Sequence, residues 1–305
     1  MGQQKPAPQS PMYGVAVDQG SGLQAAIAEA RGPDARDTDL FDFKKAVVEC
    51  LSPEASVLLV DAEYGRRLLP HYDPACEKLL AYEADVYRIV TSERITVLPD
   101  NLSVADYAEL GVRRLKFFLY YAPRGSAETN EKKHALVRDI GRQCADHGIE
   151  FLFEPIVYDE EVTDSASLAF ARLKPDLVRE ATAVYADPDF GVDVLKVEIP
   201  VNLAFVDGYG SGEFDRGWAL ERFREAADAA GPISLVYLSA GVSFDWFEQS
   251  LKLAREAGVD AAGFMCGRAI WSDAVTEFGK GGHRRLTEWL MGEGRRRLQR
   301  LKAAL

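Results

Sequence analysis

The chain has 305 residues, of which 47% are apolar, and its formal net charge is −12 at pH 7. This length suits one large α/β barrel or two ordinary domains. The acidic balance argues against nucleic acid as a partner, and no apolar run approaches the length of a membrane span. A small anionic substrate stays open, because a local pocket can be positive on an acidic protein.

The amino-terminal segment, 1–11, is polar and proline-bearing and lacks the basic start and apolar middle of a signal peptide. We predict a flexible leader over 1–11, one domain over 12–305, and a cytoplasmic protein. The four cysteines and four histidines form no cluster with metal-ligand spacing. We therefore expect no metal and no cofactor. Homo-oligomerisation stays open because barrel enzymes often associate.

Short apolar segments alternate with amphipathic stretches along the chain, which is typical of repeated βα units and a parallel sheet. Eight strands in one unbroken series predict the α/β class and a single (β/α)₈ TIM barrel. For the third strand, 86–90 is an alternative. The predicted strands are Tyr13 to Val17, Val57 to Asp61, Leu79 to Tyr82, Leu115 to Tyr121, Ile149 to Glu154, Val192 to Ile199, Ile233 to Ser239 and Ala261 to Cys266.

Amphipathic helices are predicted between the strands, with Ser165 and Ser243 as N-caps for two of them. The last segment, 283–305, is predicted as a basic helix pair that is broken around Gly292 and whose leucines cover the barrel. The other predicted helices include 42–51, 130–147, 165–173, 219–230 and 244–257.

A lysine stands where an aliphatic residue is expected in the sixth predicted strand. Because side chains alternate along a strand, Lys196 shares a face with Val194 and Glu198, and we predict that it points into the barrel. Burial and a nearby positive charge lower the pKa of a lysine and favour a neutral amine that attacks carbonyls. The alternative is a salt bridge to Glu198 or another interior carboxylate.

Other ionisable residues take the interior face by the same alternation. Lys116, Glu154, Asp18 and Asp61 each lie near an end of a predicted strand. In a TIM barrel the carboxyl ends of the strands are where chemistry is assembled. These groups are therefore expected to converge near Lys196.

Four segments together carry a resemblance to a known family. They are 115–121 (LKFFLYY), 193–202 (DVLKVEIPVN), 237–242 (YLSAGV) and 266–271 (CGRAIW). In this order they resemble the class I tagatose-1,6-bisphosphate aldolases, with which the similar sulfofructosephosphate aldolases belong. The resemblance runs from about 13 to 271.

The resemblance implies which residues carry the chemistry. Lys196 is similar to the family's Schiff-base lysine, and Glu154 to its acid/base carboxylate. Lys116 is similar to the lysine that assists carbinolamine chemistry, and Asp18 to the aspartate that orients or activates the reacting hydroxyl. The positions that resemble substrate contacts are Gln19 and, in a phosphate cradle after strands seven and eight, Ser239, Gly241, Gly267 and Arg268.

The first strand departs from the family pattern at one position. The family commonly has Asp-Gln-Arg there, whereas this chain has Asp18-Gln19-Gly20. The loss of that arginine removes an anion contact, so the residues that bind the far end of the substrate stay open. Arg66 and Arg67 are candidates to replace it.

The resemblance implies a class I aldolase that reversibly cleaves a phosphorylated ketose such as tagatose 1,6-bisphosphate to dihydroxyacetone phosphate and an aldehyde such as glyceraldehyde 3-phosphate. One alternative keeps this mechanism and takes sulfofructose 1-phosphate. Another is a non-catalytic barrel that binds sugar phosphates and regulates a partner. A metal-dependent aldolase is a third interpretation, which the absence of a ligand-spaced cluster disfavours.

Overall fold

Eight parallel strands form a closed barrel in the computed structural model, which describes residues 11–305. The predicted leader, 1–11, therefore lies outside the described residues except for its last position. Each strand pairs with the next, and β8 pairs with β1. This confirms the predicted TIM barrel. The strands are β1 (Met12–Val17), β2 (Val57–Val60), β3 (Glu77–Ala81), β4 (Arg114–Tyr121), β5 (Glu150–Val157), β6 (Val194–Glu198), β7 (Ser234–Leu238) and β8 (Gly263–Cys266).

All eight predicted strands are present, with small shifts at their ends. The alternative third strand, 86–90, is wrong. Val86–Arg88 form a 3₁₀ turn, and the side chains of Val86, Tyr87 and Val90 are exposed. An inner strand of a parallel barrel is buried on both faces, so an exposed apolar segment does not fit that position.

Strand β5 continues beyond its predicted end, across Pro155 to Val157. Its register with β6 is limited to Leu152 and Phe153. Above them the carboxylate of Glu198 accepts a hydrogen bond from the backbone N–H of Val157 at 2.9 Å. A side chain thus satisfies a backbone donor that the shorter neighbouring strand does not reach.

Helices cover the outside of the barrel. Ser243 caps its helix as predicted and accepts a hydrogen bond from the N–H of Trp246. Ser165 does not act as a cap; Ser167 caps the helix that begins at Leu168. The helices are α1 (Ser21–Arg31), α2 (Asp39–Leu51), α3 (Gly65–Leu68), α4 (Asp106–Glu109), α5 (Ala127–His147), α6 (Leu168–Tyr185), α7 (Arg216–Asp228), α8 (Phe244–Glu256), α9 (Arg268–Trp289) and α10 (Arg295–Ala304).

Strand side chains alternate between an inner core and an outer core. Ala16 and Val194 belong to the aliphatic core inside the barrel. Leu195 and Val197 belong to the larger core between the strands and the helices. This confirms the predicted alternation and leaves Lys196 on the inner face, two positions above Val194. The aliphatic inner core therefore ends where the charged residues begin.

The carboxyl-terminal helices differ in detail from the prediction. The backbone leaves the helical conformation at Gly281 and Gly282, inside α9, rather than around Gly292. Gly292 lies in a π-helical turn, Leu290–Gly294, that joins α9 to α10. The leucines do cover the barrel, because Leu286, Leu290, Leu298 and Leu301 are fully buried. Within 11–305, no helix is both long and apolar enough to cross a membrane.

Candidate active site

Two lysines and a glutamate, on the neighbouring strands β4, β5 and β6, meet inside the barrel. The amine of Lys196 donates a hydrogen bond to Oε2 of Glu154 at 2.9 Å. The amine of Lys116 lies 2.8 Å from the same oxygen. Each lysine is only 3% exposed. Because both amines contact the same oxygen atom, the two lysine nitrogens are close neighbours.

Lys116 has two further carboxylate partners. Its Nζ lies 3.0 Å from Oδ2 of Asp18, which follows β1, and 2.5 Å from Oε1 of Glu83, which follows β3. The second oxygen of Glu83 accepts a hydrogen bond from the N–H of Phe118 at 3.3 Å. Residues on or just after β1, β3, β4 and β5 thus bring three carboxylates, those of Asp18, Glu83 and Glu154, into contact with the amine of Lys116.

Glu83 was missed by the sequence analysis, although a signal was present. Leu79 and Ala81 face the interior of the barrel, and strand alternation extends this inner face to Glu83. The predicted third strand ended at Tyr82, so Glu83 was not considered. Extending the alternation one residue beyond the strand would have found it.

The electrostatics of the cluster follow from its burial and its charges. Burial lowers the pKa of Lys116, but the three carboxylates raise it more, so that this pKa lies well above its usual range. Burial raises the pKa of Asp18, but Lys116 and Lys196 outweigh it and bring the value to about 2. Burial raises the pKa of Glu83 to about 7. Near neutral pH, Lys116 is therefore charged, Asp18 is ionised, and Glu83 can exchange a proton.

Two carboxylates expected near Lys196 have other partners. Glu198 lies 3.4 Å from the amine of Lys174, in addition to its bond with β5. Asp61 pairs with the buried Lys44 of α2 and accepts a hydrogen bond from the N–H of Tyr64 at 2.8 Å. Of the alternative salt bridges for Lys196, the one to Glu198 does not form in the described residues, whereas one to another interior carboxylate, Glu154, does.

The predicted phosphate cradle contains a tight turn after β7. The N–H of Val242 donates to the carbonyl of Ser239 at 3.0 Å, and φ is positive at Ala240 (47°) and Gly241 (80°). A Cβ at Gly241 would lie 2.9 Å from the guanidinium carbon of Arg268. Glycine is therefore needed here, because a side chain would displace Arg268 from the turn.

The other half of the cradle is the amino-terminus of α9. Gly267 precedes the helix and packs against β1, since a Cβ there would lie 2.2 Å from the carbonyl oxygen of Ala16. Nε1 of Trp271 donates to that same oxygen at 2.8 Å. The first turn of α9 and the exposed Arg268 side chain are thus fixed beside the turn after β7, where free backbone N–H groups favour an anion.

Gln19 lies next to the charged cluster. Its Nε2 donates to Oδ1 of Asp18 at 3.0 Å, while its buried Oε1 has no hydrogen-bond partner among residues 11–305. A buried acceptor without a partner is costly, so Gln19 is suited to accept a hydrogen bond from a bound hydroxyl. The arginine candidates do not join it: Arg66 lies 3.7 Å from Asp106, and Arg67 stacks over Phe41.

Comparisons with known proteins agree with this arrangement. Residues 13–273 match the family model described as DeoC/LacD family aldolase. The chain belongs to the DeoC/LacD aldolase family. It is therefore an aldolase, a carbon–carbon lyase, and the resemblance seen in the sequence motifs is confirmed.

Two relatives of this aldolase are named tagatose 1,6-diphosphate aldolase. The protein of Listeria monocytogenes serotype 4a (strain HCC23) is 37% identical over 293 residues, covering 95% of this chain and 86% of the relative. Tagatose 1,6-diphosphate aldolase 1 of Streptococcus mutans serotype c is 36% identical over 296 residues, covering 95% and 90%. A solved fructose-bisphosphate aldolase from Slackia heliotrinireducens has a TM-score of 0.61 at 17% identity, covering 96% of this chain and 86% of that chain, which supports the barrel fold.

Proposed function

We propose that this protein is a class I aldolase that reversibly cleaves tagatose 1,6-bisphosphate, or a closely similar phosphorylated ketose, to dihydroxyacetone phosphate and glyceraldehyde 3-phosphate. The observation that carries the proposal is the pair of buried amines, Lys116 and Lys196, that contact one oxygen of Glu154. The names of the relatives support the choice of substrate.

Lys196 is the nucleophile in this proposal. Lys196 has one ion pair, with Glu154, whereas Lys116 has three, so we assign Lys196 as the amine that attacks. Neutral Lys196 attacks the ketose carbonyl and forms a C–N bond, giving a carbinolamine. Glu154, which touches both amines, moves the protons: the hydroxyl leaves as water and a protonated imine remains.

The imine then accepts the electrons of the breaking bond. A carboxylate removes the proton of the hydroxyl on the far carbon of the breaking bond; as that bond breaks, this carbon becomes the aldehyde carbon, and the aldehyde departs. The electron pair moves into the enamine formed on Lys196. Asp18, ionised at neutral pH and adjacent to Gln19, orients this hydroxyl. Protonation of the enamine carbon and addition of water to the imine release dihydroxyacetone phosphate and restore Lys196.

Lys116 and the cradle supply fixed charges. Lys116 stays protonated and stabilises the negative charge that develops on the substrate oxygen. The phosphate of the dihydroxyacetone part binds between the turn at Ser239–Gly241 and the first turn of α9, with Arg268 as the charged contact.

The test is a cleavage assay that couples dihydroxyacetone phosphate to its reduction, on tagatose 1,6-bisphosphate and on sulfofructose 1-phosphate. We expect the wild type to cleave the bisphosphate faster, with the same rate in the presence of a metal chelator. Faster cleavage of the sulfonated sugar would favour the alternative substrate. Binding of both sugars without cleavage would contradict the proposal and favour a regulatory barrel.

A further inference from the structure

A buried cation without an acidic partner lies beyond the catalytic cluster. Lys133, in the second turn of α5, has 0% exposed surface. Within 11–305, the side-chain amine of Lys133 makes one long hydrogen bond, which it donates to Oη of Tyr158 at 3.4 Å. No carboxylate of that range lies within ion-pair distance of the amine. Burial, followed by the charge of Arg94, lowers the pKa of Lys133 to about 8. Burying an amine in this way is costly unless something else is gained.

A second cation stands on the same tyrosine ring. The guanidinium of Arg94, in the segment between β3 and β4, lies 4.3 Å from the ring centre of Tyr158 and 5.5 Å from that of Tyr120. The amine of Lys133 lies 5.2 Å from the ring centre of Tyr158. Arg94 also has no carboxylate within ion-pair distance in the described part of the chain. Two cations are thus held against the ring of one tyrosine.

The backbone at Arg94 is strained. Its φ is 50°, and within 11–305 the only other non-glycine residue with positive φ is Ala240, in the turn beside Arg268. Such a conformation is costly and persists where the surrounding structure enforces it, often at ligand sites. The two strained positions therefore lie in the two loops that present arginines at the barrel mouth.

The pair of cations is connected to the catalytic cluster by an aromatic wall. The amine of Lys116 lies 5.4 Å from the ring centre of Phe118, whose ring packs edge-on against Tyr120 at 4.8 Å. The ring of Tyr120 in turn contacts the guanidinium of Arg94. In the closed order β1 to β8, strand β4 lies opposite β8. Arg94 and Arg268 therefore stand on opposite sides of the mouth, with the reactive amines between them.

The nearby rim above β1 is not available to an anion. The N–H and the hydroxyl of Ser21 both donate to Oδ2 of Asp85, at 2.5 Å each. A Cβ at Gly20 would lie 2.0 Å from that oxygen. A carboxylate of the protein thus fills the amino-terminus of α1, and a side chain at position 20 would collide with it. The negative end of a substrate is repelled from this part of the rim.

We propose that Arg94, reinforced by the buried charge of Lys133 beside the same tyrosine ring, forms a subsite for the anionic group at the end of the substrate distal to Arg268, a tetrahedral oxyanion that is either a phosphate or a sulfonate. The inference rests on the proposed aldolase function, because it assigns the second end of the same substrate. Tyr158 holds both cations in place. The acids nearest to Lys133 do not neutralise it: Glu93 is bound to Lys132 at 2.8 Å, and Glu160 lies beyond ion-pair distance.

The subsite predicts a preference for substrates with two anionic ends. We would measure kcat/KM for tagatose 1,6-bisphosphate and for tagatose 1-phosphate in the wild type, Arg94→Gln and Lys133→Met. The ratio of the two values is expected to fall about 10- to 100-fold in Arg94→Gln, as for the loss of a charged hydrogen bond, and by less in Lys133→Met, which removes a charge that does not touch the substrate. Lys280→Met, which removes an exposed lysine of α9 that pairs with Glu277, is the control and is expected to keep the ratio.

The same comparison separates the two oxyanions. Sulfofructose 1-phosphate and fructose 1-phosphate form a second pair of substrates, with and without the distal anionic group. Arg94→Gln is expected to lower the ratio of kcat/KM more strongly in the pair that carries the natural group, phosphate or sulfonate. An unchanged ratio in both pairs would overturn the proposal, as would equal effects of Arg94→Gln and Lys280→Met. Because Lys133 is fully buried, a misfolded Lys133→Met protein leaves Arg94→Gln to decide.

A binding measurement keeps the subsite testable if the protein fails to cleave either ketose. Calorimetry on Lys196→Met gives the Kd of tagatose 1,6-bisphosphate and of tagatose 1-phosphate without turnover. Tighter binding of the bisphosphate, lost in Lys196→Met/Arg94→Gln, supports the subsite even where the aldolase proposal fails. Equal Kd values for the two sugars would overturn the subsite even where the aldolase proposal holds.

Discussion

Lys116 and Lys196 stand on either side of β5, equally buried and bound to the same oxygen of Glu154, yet their surroundings differ. Lys116 has two additional carboxylates, from Asp18 and Glu83, and its pKa is raised well above the usual range. Among residues 11–305, Glu154 is the one carboxylate within ion-pair distance of Lys196. Burial by itself therefore does not make a lysine reactive. The number of anions around a buried lysine decides whether the lysine stays a fixed charge or can act as a nucleophile.

The largest expected effect separates these two lysines. Lys196→Ala removes the proposed nucleophile, and we expect cleavage to fall to background because no imine forms. Lys116→Met keeps the nucleophile but removes a fixed charge, and we expect a loss of about 10²- to 10⁴-fold in kcat. Steady-state assays of both proteins check this. Equal residual activity in the two variants would show that the lysines do not have distinct roles.

Removal of the shared oxygen gives the next largest effect. Glu154→Gln replaces the proton carrier that touches both amines, and we expect kcat to fall about 10²- to 10⁴-fold. Single-turnover kinetics should locate the loss in the formation or hydrolysis of the imine. Glu198→Gln is the matched control, because this carboxylate lies on β6 but bonds β5 and Lys174. A similar loss of kcat in the control would mean that the site responds to any change in buried charge.

Glu83 is expected to give a smaller effect that depends on pH. Burial raises its pKa from 4.5 to about 7, so between these values the folded protein keeps a proton that the unfolded chain releases. The free energy of unfolding therefore falls as pH rises through this window. Glu83→Gln should flatten that slope and remove an inflection near pH 7 in kcat/KM. Denaturant titrations from pH 4.5 to 7.5 check the slope, and an unchanged slope in the variant would contradict the assignment.

The smallest expected effect on activity comes from a third buried lysine. Lys44 of α2 is fully buried and pairs with Asp61, outside the cluster of Lys116 and Lys196. Lys44→Met leaves Asp61 without its cation and should lower the free energy of unfolding by about 3–5 kcal/mol. Cleavage per folded molecule should stay near that of the wild type. A large loss of activity in the folded variant would remove the distinction between structural and reactive lysines.

Much of the catalytic cluster could be predicted from strand alternation, because the barrel imposes a period of two on its inner face. Lys196, Lys116 and Glu154 lie on strands where this period holds, and the structure brings them together. The alternation was less informative just past the strand ends. Glu83 was missed there, and Asp61 was expected in the cluster but turns to α2.

The cations of the proposed distal subsite could not be predicted by periodicity. Arg94 lies in an irregular segment whose course depends on contacts with other loops. The arginines that the sequence suggested were Arg66 and Arg67. Lys133 lies on a helix that carries several charged residues, and only the rotation of α5 against β5 shows that this one is buried. The contact between Asp85 and Ser21 joins residues 64 positions apart, which no local pattern reveals.

Reductive trapping tests the central claim most directly. Borohydride added to the wild-type protein with dihydroxyacetone phosphate should reduce the imine to a stable adduct, and peptide mapping by mass spectrometry then shows which lysine carries it. We predict a single modified lysine, Lys196, with Lys116 and Lys133 unmodified. An adduct on Lys116, or an active enzyme that forms no adduct, would contradict the assignment of Lys196 as the nucleophile.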